Sequence, residues 1–547
     1  MLNTKSAFFG KNIIVVLFSL LLFGCASMQK PQGGPRDLTP PKVLKATPEN
    51  MTRNFNAKEI RLDFDEFYKL SNQYQEITIS PAMEKQPEYN ISRKSLIIDF
   101  KDTLQKNTTY VINFGKAIQD VNESNVLKNF TYVFSTGPHI DSLSMSGNVV
   151  NSTTQEKEKD ATVMIFPVSQ DSLLFGKKKP TIFTTTDSSG NFSLNNLHDG
   201  EYRIYALKEP SPDKIFNNDK ELIAFSNKPI VLNKDTSNIR LSLFQQIPEK
   251  FRIAEKKLTN EGVLSLVFNK RLNNPSVKVV YPQGFDNQKI VDISKTRDTA
   301  LVYMRNMDFD SLRVAILDNN KPIDTVYQLK GRKESFVRTL TFKYGINRDN
   351  RLKPGTDLRI VANLPIETFD QGLVALTEDS VNVTNFTLQK DTANAKHLLL
   401  KYRWRVNSKY QLILNEAAFT DIYGDKNKRT GVDFQADKPE NYSQLSVKVT
   451  VPDTTKSYVL ELLNDQKAVV QTNVITKNSS VVYKGILTGK YKIRVIYDTN
   501  KNGRWDSGNV RQKNQPENIW INEKEFTLRP NWEAEEAMDI PKEQINP

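Results

Sequence analysis

Runs of five to eight residues rich in β-branched and aromatic side chains recur along the chain, split by Asn, Asp, Gly and Pro. No long amphipathic helix stands between them. Ile60-Arg61-Leu62-Asp63-Phe64, Ser95-Leu96-Ile97-Ile98-Asp99-Phe100, Tyr110-Val111-Ile112-Asn113-Phe114 and Phe130-Thr131-Tyr132-Val133-Phe134 are typical. Such runs suit a pleated, half-buried strand, and their close spacing predicts β-sandwiches. The expected fold class is all-β, with several modules in tandem. A length of 547 residues fits several domains, at roughly 100–200 residues each.

With one cysteine in the whole chain, the modules must be held by packing, not by a disulfide framework. His139, His198 and His397 are far apart in sequence and fit no zinc spacing. Lys and Arg exceed Asp and Glu, 76 against 63. Yet no basic block of the length of a nucleic-acid arm occurs, so nucleic acid is not an expected partner. No nucleophile elbow, P-loop or dinucleotide fingerprint is present, and the expectation is a protein that is not an enzyme.

The N-terminus supplies an address. Lys5 and Lys11 precede the apolar run Ile13–Phe23, which ends in Leu22-Phe23-Gly24-Cys25. A positive start and a short apolar stretch make a secretory signal. The ending resembles the bacterial lipobox, which implies removal of residues 1–24 and lipidation of Cys25. Residues 25–41 hold Gly33-Gly34-Pro35-Arg36-Asp37-Leu38-Thr39-Pro40-Pro41, a composition expected of an extended tether. Ala26 follows the cysteine, and by resemblance to lipoprotein sorting the expected location is the outer membrane, at the cell surface rather than the periplasmic face. Ala26–Gln32 lacks the acidic run often found in surface-exported lipoproteins.

Residues 42–137 carry Thr47-Pro48, then Leu62-Asp63-Phe64-Asp65-Glu66, then Asn107-Thr108-Thr109-Tyr110, Asp120 and Phe134-Ser135-Thr136-Gly137. This order resembles the bacterial Ig-like domain of the S-layer type, with Asp65 and Glu66 as part of an F-D-E strand. Linker and domain together resemble a family of Bacteroidota outer-membrane lipoproteins that includes a subunit of the β-barrel assembly machinery. Asn407-Ser408-Lys409-Tyr410, Asp421 and Phe434 repeat the pattern, predicting a second Ig-like sandwich over 340–436. Residues 250–337 are expected to form a divergent β-domain.

A second module type spans 144–246. Asp187-Ser188-Ser189-Gly190-Asn191-Phe192 and Leu197-His198-Asp199-Gly200-Glu201-Tyr202 resemble the transthyretin-like, carboxypeptidase-regulatory fold. Leu487-Thr488-Gly489-Lys490-Tyr491 repeats the second half, predicting a related sandwich over 443–541. Within it, Asp498-Thr499-Asn500-Lys501-Asn502-Gly503-Arg504-Trp505-Asp506 matches the front of a calcium loop. The candidate ligands are Asp498, Asn500, Asn502, Arg504 through its carbonyl, and Asp506. Asn509 stands where a bidentate Glu belongs, so two readings stay open: a weak structural Ca²⁺ site, or an Asx-rich hairpin. No other cofactor is expected.

Asp-Ser/Thr-aliphatic triplets occur at Asp102, Asp141, Asp171, Asp298, Asp310, Asp324, Asp379 and Asp391. They resemble the O-glycosylation sequon of Bacteroidota extracytoplasmic proteins, with Thr103, Ser142 and Ser172 as candidates. The functional expectation is a scaffold that binds outer-membrane β-barrel proteins. The alternative is an adhesin or glycan-binding lipoprotein attached to a nutrient-uptake porin, which would need a Trp or Tyr platform among Trp404, Trp505, Trp520 and Trp532.

Overall fold

The computed structural model describes residues 36–170, 179–211, 213–218, 220–331 and 335–544. The fold is a tandem series of β-sandwich modules, and the chain divides into two compact units, Met1–Ser142 and Leu143–Pro547. In the first unit, β1 (Val43–Thr47), β2 (Glu59–Phe64), β5 (Glu88–Ser92) and β6 (Ser95–Asp99) form one sheet in the order β1-β2-β6-β5. A second sheet runs in the order β4 (Thr78–Ser80), β7 (Thr109–Asn113), β9 (Thr131–Ser135), and β3 (Tyr68–Leu70) pairs with β8 (Ile118–Asp120). Strict alternation in β2 sends Ile60, Leu62 and Phe64 into the core while Glu59 and Arg61 face water. The expected F-D-E strand stops two residues early, at Phe64. After Phe64 the chain leaves the ladder, and the Asp65 Oδ1 accepts the Lys42 N–H at 2.7 Å, tying the start of the module to its second strand.

Tyr110 on β7 sits opposite Phe134 on β9, the rings stacked at 5.2 Å, and its hydroxyl accepts the Gln105 N–H at 2.9 Å. Asn107 makes the preceding turn at a φ of 54°, a left-handed conformation that Asn tolerates. The same construction recurs in the second unit. Asn407 has a φ of 67°, Tyr410 pairs with Phe434 at 5.4 Å, and its hydroxyl accepts the Arg405 N–H at 2.7 Å. Asp120 and Asp421 also correspond, each collecting backbone N–H groups of the turn that follows. A tyrosine hydroxyl bonded to backbone a few residues upstream is a device by which sandwiches fix the approach to a core strand. The later copy adds Glu378, buried and accepting the Tyr402 and Tyr410 hydroxyls at 2.8 Å each.

The second unit opens with β10 (Leu143–Asn151), β11 (Thr162–Pro167), β12 (Ile182–Thr185), β13 (Asn191–Leu197), β14 (Gly200–Lys208), β15 (Leu222–Phe225), β16 (Ile230–Leu232) and β17 (Thr236–Gln245). They form one curled sheet in the order β12-β11-β14-β15-β17-β10-β13, with β16 on β14. Residues 253–329 then make a sandwich of two sheets over a core of their own, containing Leu264, Phe268, Val302 and Ile316. The outer side of this sandwich runs into the next core, where Val263 and Tyr303 pack with the residues of 340–436. Lys396 bridges the two, paired with Asp292 and bonded to the Tyr303 hydroxyl. A final sandwich over 442–540 faces the sheet Ser479–Leu487, Tyr442–Thr450, Glu533–Asp539 against the sheet built on Ser457–Asn464 and Gly489–Asp498.

Residues 36–142 enclose a core without help from later residues, so this fragment is expected to fold alone and unfold cooperatively in urea. Tyr110→Phe in it is expected to cost about 1 kcal/mol, the net worth of one buried hydrogen bond. An unchanged urea midpoint would show that the hydroxyl contributes nothing.

Candidate binding site at a junction between modules

The sheet of residues 143–245 is apolar on both faces. On β14, Tyr202, Ile204 and Ala206 point into the module's own core, while Tyr205 and Leu207 point outward. On β11, Val163 and Ile165 point in and Met164 and Phe166 point out. Together with Phe183, Ile223, Phe225 and Phe244 the outward set makes a second apolar layer, and all of it is buried. Phe216 of the module's own loop covers part of it, and the rest of its cover comes from the far end of the unit. Val510, 1% exposed, and Trp505 pack into the layer from the loop between strands Gly489–Asp498 and Ile519–Ile521.

Hydrogen bonds seat this clasp. The Val510 N–H donates to Gln246 Oε1 at 2.8 Å, Gln515 Nε2 to the Phe225 carbonyl at 2.8 Å, and Ser507 Oγ to the Gln245 carbonyl. Asn509 and Asn514 exchange backbone bonds of 2.8 and 2.9 Å, closing a tight turn that carries Val510. Gly508 lies so close beneath it that a Cβ would stand 2.8 Å from the Phe244 ring and 2.7 Å from the Asn514 carbonyl. Nearby, Lys467 pairs with Glu156, and Arg494 Nη1 donates to the Thr153 carbonyl at 3.2 Å.

The calcium-like residues form the root of the clasp. Asp498, 1% exposed, accepts the Asn502 and Gly503 N–H groups at 3.0 and 2.9 Å and the Ser457 hydroxyl at 3.0 Å. The amides of Asn500 and Asn502 both donate to Asp506. Arg504 lies beside Asp506, 3.4 Å from its carboxylate. Glu517 accepts the Thr499 and Asp506 N–H groups at 2.7 and 3.0 Å, and burial pushes its carboxyl above the usual range. These oxygens are thus taken up by donors of the loop. Among the described residues, no three His, Cys, Asp or Glu side chains lie close enough to hold a metal.

The module of residues 143–245 holds a counterpart without the calcium pattern. Glu209, one residue past β14, accepts the N–H groups of residues four and five further on, Asp213 and Lys214, as Asp498 does with Asn502 and Gly503. Glu221 before β15 takes the Asn217 and Asn218 N–H groups at 2.9 and 3.1 Å, much as Glu517 serves its loop. Burial raises the Glu209 carboxyl to about 7. The strands before these loops correspond too. Gly200 and Gly489 have φ values of 155° and 153°, and the hydroxyls of Tyr202 and Tyr491 donate to the carbonyls of His198 and Leu487, four residues back.

The clasp leaves a cavity of about 380 Å³ between the two modules. Ser152, Gln155 and Arg240 line it from one side, and Glu517, Trp520 and Glu523 from the other. Trp520 sits on Ile519–Ile521 opposite Val495. Period-2 alternation places Ile519 and Ile521 on one face and the indole on the other, partly packed on the module's core. Of the other tryptophans, Trp404 packs among Tyr402, Tyr410 and Phe434, Trp505 donates to the Glu517 carbonyl at 2.8 Å, and Trp532 is 44% exposed. Nothing in the sequence near Trp520 distinguishes it; the signal is its placement against residues about 300 positions earlier.

Thr103 and Ser142 are exposed on the first unit, Thr103 with its N–H bonded to Asp102 Oδ1 at 2.9 Å. Cys25 and Ser172 lie outside the described residues.

Val510→Asp is expected to destabilise the second unit by about 3 kcal/mol, because it puts an unpaired carboxylate into an apolar layer. Uncovering that layer should also raise binding of a hydrophobic dye. A variant that melts like the wild type and binds no more dye would show that the clasp does not hold the layer.

Among solved structures the chain is similar to the TIE protein of Bacillus anthracis, at 10% identity and a TM-score of 0.15, over 93% of this chain and 76% of that one. It is also similar to BcpA, the major pilin subunit of Bacillus cereus, at 9% identity and a TM-score of 0.14, covering 73% of this chain and 99% of that one. The RrgB pilus protein of Streptococcus pneumoniae gives 12% identity and a TM-score of 0.16, covering 73% and 68%. Likenesses this distant carry no inference about activity or partners. No curated protein matches the chain. A family model does match one segment, residues 37–136, and its description is that of a bacterial Ig-like domain. The first unit of this chain therefore carries a bacterial Ig-like domain.

Proposed function

We propose that the chain is a non-enzymatic, surface-exposed lipoprotein of the outer membrane, a scaffold whose β-sandwich modules bind an outer-membrane β-barrel protein, as a subunit of the β-barrel assembly machinery would. Lipidation at Cys25 is the proposed anchor. Among the described residues no helix is long and apolar enough to cross a membrane.

The observation that supports partner binding is an edge strand. Lys321–Leu329 lies at the end of the sheet Pro275–Tyr281, Ser311–Asp318, Lys321–Leu329. Ile323, Tyr327 and Leu329 alternate along it and are 38%, 51% and 61% exposed. A long edge strand with an apolar outer row can accept a strand from another β-protein, its backbone giving affinity and its side chains specificity. One outward carbonyl, that of Tyr327, is taken by Lys256 at 2.6 Å, the kind of lysine that guards an edge against indiscriminate pairing.

Two modifications belong to the same proposal. Exposure of Thr103 and Ser142 supports O-glycosylation there and, by the shared triplet, at Ser172; glycopeptide mass spectrometry finding all three bare would remove it. Weak calcium binding at Asp498–Asp506 rests on the sequence pattern alone. Millimolar calcium that leaves the melting temperature unmoved would reduce the loop to an Asx-rich turn.

Cys25→Ser is expected to abolish labelling by a clickable fatty acid and to release the protein from outer-membrane fractions. Label persisting on the variant would overturn the anchor. Affinity purification through a C-terminal tag is expected to co-isolate the assembly barrel. Tyr327→Lys with Leu329→Lys should lower that yield about tenfold, while single changes at Asp65, Glu66 or His198 leave it intact. Recovery of a transporter barrel instead would favour the nutrient-uptake reading.

A further inference from the structure

The cavity beneath the clasp has the chemistry of a ligand site and no part in the scaffold proposal. Its volume of about 380 Å³ falls in the range of small-ligand pockets, ~300–1,000 Å³. Several of its side chains are already held in place. Gln155, at a φ of 58°, donates from Nε2 to the Ser152 carbonyl at 2.7 Å and accepts Arg240 Nη2 on its Oε1 at 2.7 Å. Glu517 is fixed by the two N–H groups it accepts. Groups ordered before binding lose less entropy when a ligand arrives.

The composition of the walls selects the ligand. Arg240 and Lys542 face Glu517 and Glu523, so neither sign of charge dominates. A phosphate or a polyanion would need an excess of cations, and a cationic ligand an excess of carboxylates. The remaining walls offer Trp520 and the aliphatic Pro516, Ile519, Ile521 and Pro541 beside amides and hydroxyls. An apolar ring plane surrounded by both donors and acceptors complements a molecule with C–H faces and hydroxyl edges.

We infer that this cavity binds a neutral oligosaccharide, with one pyranose ring against Trp520 and its hydroxyls bonded by Gln155, Arg240 and Glu523. The site spans residues from both ends of the second unit, so a sugar there would favour the clasped arrangement over an opened one.

The test uses the purified full chain, titrated with maltohexaose, mannohexaose, xylohexaose and chitohexaose, and followed by tryptophan fluorescence and calorimetry. At least one probe is expected to bind with a Kd on the order of 1 mM or tighter. Trp520→Ala is expected to weaken it about tenfold or more. Since Trp520 also packs on the core, Arg240→Ala supplies the second arm: its side chain is exposed, so the melting temperature should hold while affinity drops several-fold. Trp532→Ala, away from the cavity lining, should bind as the wild type does. The inference is overturned if none of the four probes binds at ~10 mM, if Arg240→Ala binds unchanged, or if a heparin hexasaccharide binds more tightly than every neutral probe.

Discussion

The second unit depends on burial of an apolar layer that its own module covers only in part. Met164, Phe166, Phe183, Tyr205, Leu207, Ile223, Phe225 and Phe244 face away from the core of residues 143–245. Aromatic side chains of this size bury ~150–250 Å² each, so leaving the layer open would cost several kcal/mol and expose a patch prone to association. Val510 and Trp505 complete its cover, and that one contact ties the last module to the first module of the unit. The shared core around Val263 and Tyr303, and the Asp292–Lys396 pair, join the modules in between. Each module's position is therefore set by packing instead of by its linker.

The clasp is a loop held in shape by carboxylates. Asp498 and Glu517 gather backbone N–H groups that a long excursion between strands would otherwise leave to water, and Glu209 and Glu221 do the same in the module of residues 143–245. The loop with Asp498 also carries a sequence pattern resembling a calcium loop. Oxygen side chains at alternating positions of a turning backbone serve a cation or serve the backbone itself. In this arrangement the loop's own donors occupy them. The equivalent loop with Glu209 shows that the capping role needs no calcium pattern.

The proposed functions rest on surfaces and junctions. The described modules spend their polar side chains on turns, caps and inter-module bonds. Two features that face outward carry the proposals: the edge strand Lys321–Leu329 and the cavity lined by Trp520. The first is a backbone surface suited to another β-protein, the second a small mixed cavity suited to a neutral ligand. They lie on different modules and make different demands on the chain.

The sequence by itself determined the class and the repeats. Alternating runs such as Glu59–Phe64 mark strands because side chains alternate faces, and the Asn-x-x-Tyr and Gly-x-Tyr patterns mark repeated corners because their bonds close within about five residues. Local chemistry of this kind is written in local spacing. The strand pattern overran at Asp65, which leaves its strand to bond Lys42. The tertiary structure alone decided what covers the outer layer of residues 143–245 and where Trp520 points. A continuous apolar run such as Val163–Phe166 states that both faces are buried, but carries no information about the partner. That partner, Val510, is a single valine in a polar loop, and the walls of the cavity are contributed by segments about 300 residues apart. Contacts between distant segments are fixed by shape and free energy summed over the whole unit, and no short-range pattern encodes them.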